Sequence, residues 1–491
     1  MMKNLVFIIL LFNTFCFSQQ SDKNIINVGK LKLSSNEKVD YLEKIQSILD
    51  TIVTKEKETI LYFPKGQYNI SGNIIIKTSN LKILGDEGTF FEFTPQNSVP
   101  LKQGYSEYKR GIIINPDLEN VTIENIHIKG YTDSSLVAYA INFRDRTSKI
   151  TVRSCILEGF TGGILYNLSN EDILCENNIF RNMIFVPAVK AGGYGIVLQS
   201  SKNSVIRNNI FENSVYRHAV YYARNQFHLD NDGEQHFFYK NKVYGSEQEN
   251  YITGYELAFK ILGNSKVSVF ENEFIGGVGH IWLVENPKGV NKIPNDIKIY
   301  NNIFTNLKNN SKSKVYAIGV DGDSTIENVK IYDNKFENNY VDQLIKFQKG
   351  KNLIVSNNKI TNLKEGHFLY VDYGVENLKI FNNKVDMDNE FDGIYIGASN
   401  KDLKYKTTAE IKNNVLKSTL FGIYANNLVE TTIENNIIHS MNTNIYINDG
   451  YFSGTIINNN FFGGKKTFFS NKKNNNFYFK NNYNNTKQIV E

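Results

Sequence analysis

Cysteine is scarce in this chain: Cys16, Cys155 and Cys175 are the only three in 491 residues. A disulfide-stapled scaffold is therefore excluded. Net charge is small as well, 55 Lys and Arg against 50 Asp and Glu, giving +5. So slight a surplus creates no global field for nucleic acid, and any polyanion must be held by local clusters. Long apolar runs are missing beyond the N-terminus, so no second segment reaches membrane length. The run that is present, Leu5 to Phe17 after Lys3 and before Ser18-Gln19-Gln20, has the length and flanks of a cleavable export signal. Cleavage is expected after Ser18, leaving a secreted or periplasmic protein with net charge +4, since Lys3 is the one charged residue removed. Asn13-Thr14-Phe15 is a poor approach to a lipidated Cys16.

What the chain has in abundance is asparagine in a fixed pattern. A unit reading apolar, x, Asn, Asn, x, apolar returns as in Ile299-Tyr300-Asn301-Asn302-Ile303-Phe304. Aligning on the second Asn gives one column: Asn178, Asn209, Asn241, Asn272, Asn302, Asn334, Asn358, Asn383, Asn414, Asn436, Asn460 and Asn482. Steps of 22 to 32 residues are the period of a coil whose every turn adds one strand to each of several parallel sheets. Alternation before the doublet marks a strand with one inward face, and the doublet marks a bend. Stacked Asn side chains would bond one another at about the 4.8 Å strand spacing, an internal ladder. Ile126 and Cys155 fill the column in two earlier turns. Cys175 then falls at an inward position three residues out of step with Cys155, so no bridge between them is expected. The 13% aromatic content argues against a disordered Asn-rich chain. The fold class expected is all-β, a right-handed parallel β-helix forming a single domain over residues 19–491.

Open coils need caps against edge-to-edge pairing. Residues 35–55 read as an amphipathic helix with Ser35 as N-cap and Val39, Leu42, Ile45, Ile48, Leu49 and Ile52 on one face. Tyr62-Phe63-Pro64-x-Gly66-x-Tyr68 and Leu81-x-Ile83-x-Gly85 follow. This order resembles the entry of the pectate-lyase-like superfamily of parallel β-helices. The resemblance covers nearly the whole mature chain at fold level and leaves function open among lyases, hydrolases, epimerases and non-catalytic surface proteins.

From Asn178 to Asn334 every step is 30 to 32 residues, whereas later steps fall as low as 22. Turns 178–334 therefore carry added loops, which side by side build the walls of a groove. Counting from the column sends Val197, Tyr221, Lys260 and Trp282 outward in four neighbouring turns, about 14 Å of surface. Arg217 and Glu256 are expected on the same face. The stretch Tyr216 to Asn225 groups a guanidinium, an imidazole and a phenol. That set suits elimination from a uronic acid, which needs the carboxylate masked, a proton removed beside it, and the leaving oxygen protonated. Arg217 is the candidate mask, Tyr221 or Lys260 the base, and His218 or Tyr221 the acid. Lys190, Tyr194, Arg224, Glu256, Asn264, His280 and Trp282 are candidate substrate-binding residues.

Within the superfamily the segment resembles lyases of the chondroitinase B and alginate lyase type. Lys260-Ile-Leu-Gly-Asn264 matches their Lys-x-x-x-Asn strand, whose Lys is the base. Their Arg-His pair is expected one turn later, where Gly279-His280 stands, while Arg217-His218 appears one turn earlier. A polygalacturonase-type hydrolase would need paired carboxylates, and the Gly-His-Gly and Arg-Ile-Lys motifs of that family are absent. A C5-epimerase, or a carbohydrate-binding protein that stacks sugars on Tyr194, Tyr221 and Trp282 without catalysis, is the remaining alternative. No cofactor is required by the sequence, and Asp230, Asp232 and Glu234 are weak candidates for Ca²⁺. The expected partner is an acidic polysaccharide or oligosaccharide, with no nucleic acid and no membrane span, and the protein is expected to be a monomer.

Overall fold

A computed structural model describes residues 24–31, 39–52, 57–93, 111–130, 138–186, 191–212, 218–223, 235–245, 259–263, 266–277, 279–285, 293–308, 315–320, 324–388, 391–397, 407–426, 429–448, 452–471 and 476–485. The chain is an all-β right-handed parallel β-helix. Three parallel sheets run its length. The first holds the strands before each doublet, such as Asn295–Tyr300 and Thr325–Tyr332, paired in register from Ile297↔Val329 to Tyr300↔Tyr332. The second holds short strands after it, such as Ile303–Thr305, and the third holds strands such as Gly279–Val284 and Tyr316–Val320. Inward residues of all three make one continuous apolar core, with Ile299, Phe304 and Ile318 fully buried.

The Asn column is the internal ladder expected. Asn302 Nδ2 donates to Asn334 Oδ1 at 3.0 Å and to the Val269 carbonyl at 2.9 Å, and Asn334 Oδ1 also accepts from the Asn302 N–H at 3.0 Å. Two residues divide the work of the bend. Asn301, at φ 54°, supplies the left-handed turn that Asn tolerates, and Asn302 fills the space inside. One member differs from the sequence reading: Asn459, not Asn460, occupies the column, accepting from Asn436 at 2.9 Å and donating to Asn482 at 3.1 Å. The run Asn458-Asn459-Asn460 reads equally well in two frames. Inward burial of Ile456 and Phe461 (0% and 2% exposed) selects the one used. The ladder's entry is also as expected, with Ile126 and Cys155 buried and the Cys155 N–H donating to Asn178 Oδ1 at 2.9 Å. Cys175 stacks on Val152. Burial pushes the Cys155 thiol up to about 12.

The N-terminal helix is shorter than expected. It spans Leu42–Thr51, preceded by Tyr41, which makes no side-chain cap, while Ser35 lies outside the described residues. Asp40 takes the capping part instead, its Oδ1 accepting from the Leu42 N–H at 3.0 Å. Ile45 and Leu49 are buried against the first turn. Gln46 does more than pack: its side-chain amide donates to the Ile75 carbonyl at 3.0 Å and accepts from the Ile75 N–H at 2.9 Å. The open edge of strand Asn73–Ile76 is thereby satisfied by one side chain, which is how an edge is protected from pairing elsewhere. Among the described residues no helix is long and apolar enough to cross a membrane.

Candidate functional site

The third sheet has an unusual corner. Where the chain enters each strand, two consecutive residues face inward: Ala219 with Val220, His280 with Ile281, and Ala317 with Ile318, all at 1% exposure or less. Strict alternation fails there. At the equivalent Gly195 an added Cβ would meet the Ala219 carbonyl at 2.5 Å, so backbone from neighbouring turns fills the corner. The residues flanking the inward pair both return to the outer face, three apart in sequence, and this places His218 beside Tyr221. Their ring centroids are 5.4 Å apart. His218, only 2% exposed, also lies 5.7 Å from Tyr194 and 6.5 Å from Trp282.

Register supplies the rest of the column. Val197 pairs with Tyr221, Tyr221 with Lys260, and Lys260 with Trp282. Tyr194 and Tyr221 stack at 6.1 Å and, with Val197, Leu165 and Tyr139, form an apolar cluster outside the coil, separate from its core. Four of the expected site residues, Tyr194, His218, Tyr221 and Trp282, are thus brought together, and Lys260 takes the register position between two of them. Lys190, Arg217, Arg224, Glu256 and Asn264 lie outside the described residues, as do Asp230, Asp232 and Glu234.

His280 is a correction. Its ring is fully buried, 5.2 Å from Phe274 and 5.8 Å from Phe304, because it is the first residue of an inward pair. Burial holds its imidazole neutral, with the pKa down to about 3. It belongs to the core, not to a sugar.

Farther along the same face the structure brings together residues that sequence reasoning missed. Trp282 is followed in register by Gly319, Lys346, Tyr370 and Tyr395. Gln343 and His367 hold the flanking position that His218 holds earlier. His367 Nδ1 stands 3.6 Å from Asp392 Oδ2, close enough for an ion pair but beyond a hydrogen bond. Burial governs both groups: it pushes the Asp392 carboxyl up to about 7 and the His367 imidazole down to about 4. Lys346 is 4% exposed with its Nζ 5.7 Å from the Tyr316 ring centre. A signal was present in the sequence. His367-Phe-Leu-Tyr370 repeats the spacing of His218-Ala-Val-Tyr221, and Asp392-Gly-Ile-Tyr395 repeats it with an acid.

Beyond Tyr370 the column turns monotonous. Tyr370, Tyr395, Tyr424, Tyr446 and Phe469 stack in sequence with centroids 4.5, 5.1, 5.1 and 5.1 Å apart. Interior faces of this stack are covered by neighbouring rings, so it presents edges and hydroxyls to solvent.

The comparisons with known proteins fit this architecture. The family described as rhamnogalacturonase A/epimerase, pectate lyase-like, matches residues 25–236. The fold is that of the pectate-lyase-like superfamily. A mutant tailspike protein of E. coli bacteriophage HK620, solved with a pentasaccharide, is 13% identical with a TM-score of 0.54, covering 82% of this chain and 73% of its own. The DFA-IIIase of Arthrobacter chlorophenolicus, solved with DFA-III, is 14% identical with a TM-score of 0.52, covering 75% of this chain and 95% of its own. At such identities the likeness is one of fold. No curated protein matches the sequence.

Proposed function

We propose that this chain is a carbohydrate-active enzyme that cleaves an acidic polysaccharide along the outer face of the third sheet, by β-elimination at a uronic acid. One observation carries the reading: His218 lies against both Tyr221 and Trp282, across the strand on which Lys260 is registered. An imidazole, a phenol and an ammonium in adjacent turns are the groups proton removal and leaving-group protonation need, and an indole beside them suits a sugar ring. Lys260 or Tyr221 is the base, Tyr221 or His218 the acid, and Arg217 the mask for the carboxylate. Solved proteins of the same fold hold a pentasaccharide and DFA-III, which supports a saccharide ligand. Export, with cleavage after Ser18, belongs to the same proposal, and the N-terminal sequence of the mature protein tests it.

Hydrolysis on the same face is the second reading, favoured by the matched family's rhamnogalacturonase name. The product separates the two. Alginate, pectate, chondroitin, dermatan and heparin, each offered with and without Ca²⁺, should yield an unsaturated uronate absorbing in the near ultraviolet from at least one. Reducing ends without that absorbance would replace elimination by hydrolysis. Neither product from any substrate would leave a binding protein.

A further inference from the structure

The cluster four turns beyond Lys260 has its own chemistry. Gln343 is 93% buried by its exposure of 7%, and among the described residues its Oε1 has no hydrogen-bond partner. His367, its neighbour in register, likewise leaves Nδ1 without one. Buried polar atoms left unpaired in this way are costly, and a site that binds sugar hydroxyls is one place they persist. Phe391, 38% exposed, presents a ring 5.7 Å from His367.

We propose that Gln343, His367 and Asp392, with Phe391, form a second saccharide site that takes an uncharged pyranose. Gln343 Oε1 accepts from a sugar hydroxyl, Asp392 and His367 exchange hydrogen bonds with its neighbours, and Phe391 lies against the ring. Burial at Asp392 and His367 opposes a charge on either group, which suits a neutral partner. Four turns at about 4.8 Å put this site roughly 19 Å from Lys260, a distance one glycan can span. The ligand of the whole face would then be a heteropolysaccharide rather than a pure polyuronate.

The proposal concerns binding and does not require cleavage at Tyr221 and Lys260. Isothermal titration calorimetry of the full mature protein with cellohexaose, mannohexaose, xylohexaose, galactohexaose and hexagalacturonate tests it. At least one of the neutral hexamers should bind. Gln343→Ala and Asp392→Asn should each weaken that binding about tenfold, with unchanged circular dichroism, while Lys260→Ala leaves it unaltered. Absence of neutral binding overturns the proposal, as does binding that survives both substitutions or falls only with Lys260→Ala. Loss of cleavage by Lys260→Ala with neutral binding intact would separate this site from the first.

Discussion

The turns between Asn178 and Asn334 and the turns after Asn334 share one ladder and one core, yet their outer columns differ in kind. In the first group the ladder steps are 30 to 32 residues, and the column runs Tyr221, Lys260, Trp282, a different chemistry in each turn. In the second group five of the six steps are 22 to 25 residues and one is 31, and after Lys346 the column repeats tyrosine until it becomes a stack. Repetition outside the coil is what scaffolding requires, since like side chains in register support one another as the Asn residues do inside. Variety in neighbouring turns needs another cause. The lesson is that diversity at a fixed position of a repeat, more than the residues themselves, marks where a solenoid works.

Breaking the first column should have the largest effect. Lys260→Ala is expected to lower the cleavage rate about a thousandfold, within the range for loss of a general acid or base, with no change in melting temperature. Tyr221→Phe should act in the same direction, read by the same absorbance assay.

Stability responds in the opposite pattern. Asn302→Ala removes an amide that donates to Val269 and Asn334 and accepts from Asn272, leaving buried groups unpaired. A loss of about 3 kcal/mol is expected by denaturant titration, whereas Asn482→Ala, in the last described turn and only partly buried, should cost well under half of that.

A smaller, pH-dependent effect is expected at Asp392. Its carboxyl titrates in the fold at about 7, raised by burial from 3.8. The folded state therefore keeps its proton where the unfolded state has lost it, and stability falls as pH rises through that window. Asp392→Asn should raise the melting temperature at pH 8 and leave it nearly unchanged at pH 3. The same change weakens the proposed second site, a trade of binding for stability.

Smallest of all is Tyr424→Leu. Its ring stacks at 5.1 Å on both Tyr395 and Tyr446, and losing those contacts should cost about 1 kcal/mol while leaving cleavage untouched. An equal loss of activity would erase the distinction between the two columns.

The coil itself was legible in the Asn period because a buried amide ladder tolerates few substitutes and so writes itself into the sequence. Where several Asn adjoin, as at Asn458 to Asn460, the frame slipped by one, since only the burial of Ile456 and Phe461 fixes it. The outward places of Tyr221 and Trp282 followed from alternation. His280 did not, because the corner puts two successive residues inside and no local pattern announces it. Asp392 and His367 escaped notice for a related reason: their importance comes from burial and from register across turns, which composition does not carry. The spacing they share with His218 and Tyr221 was visible but has meaning only once the corner is known.

The most direct test of the central claim sets Lys260→Ala beside Tyr424→Leu, with the wild-type protein, in one assay for near-ultraviolet product and reducing ends on whichever polysaccharide of the proposed screen yields product. Full activity in Tyr424→Leu and almost none in Lys260→Ala is the expected result. Wild-type rates in Lys260→Ala would contradict the assignment of chemistry to the varied column.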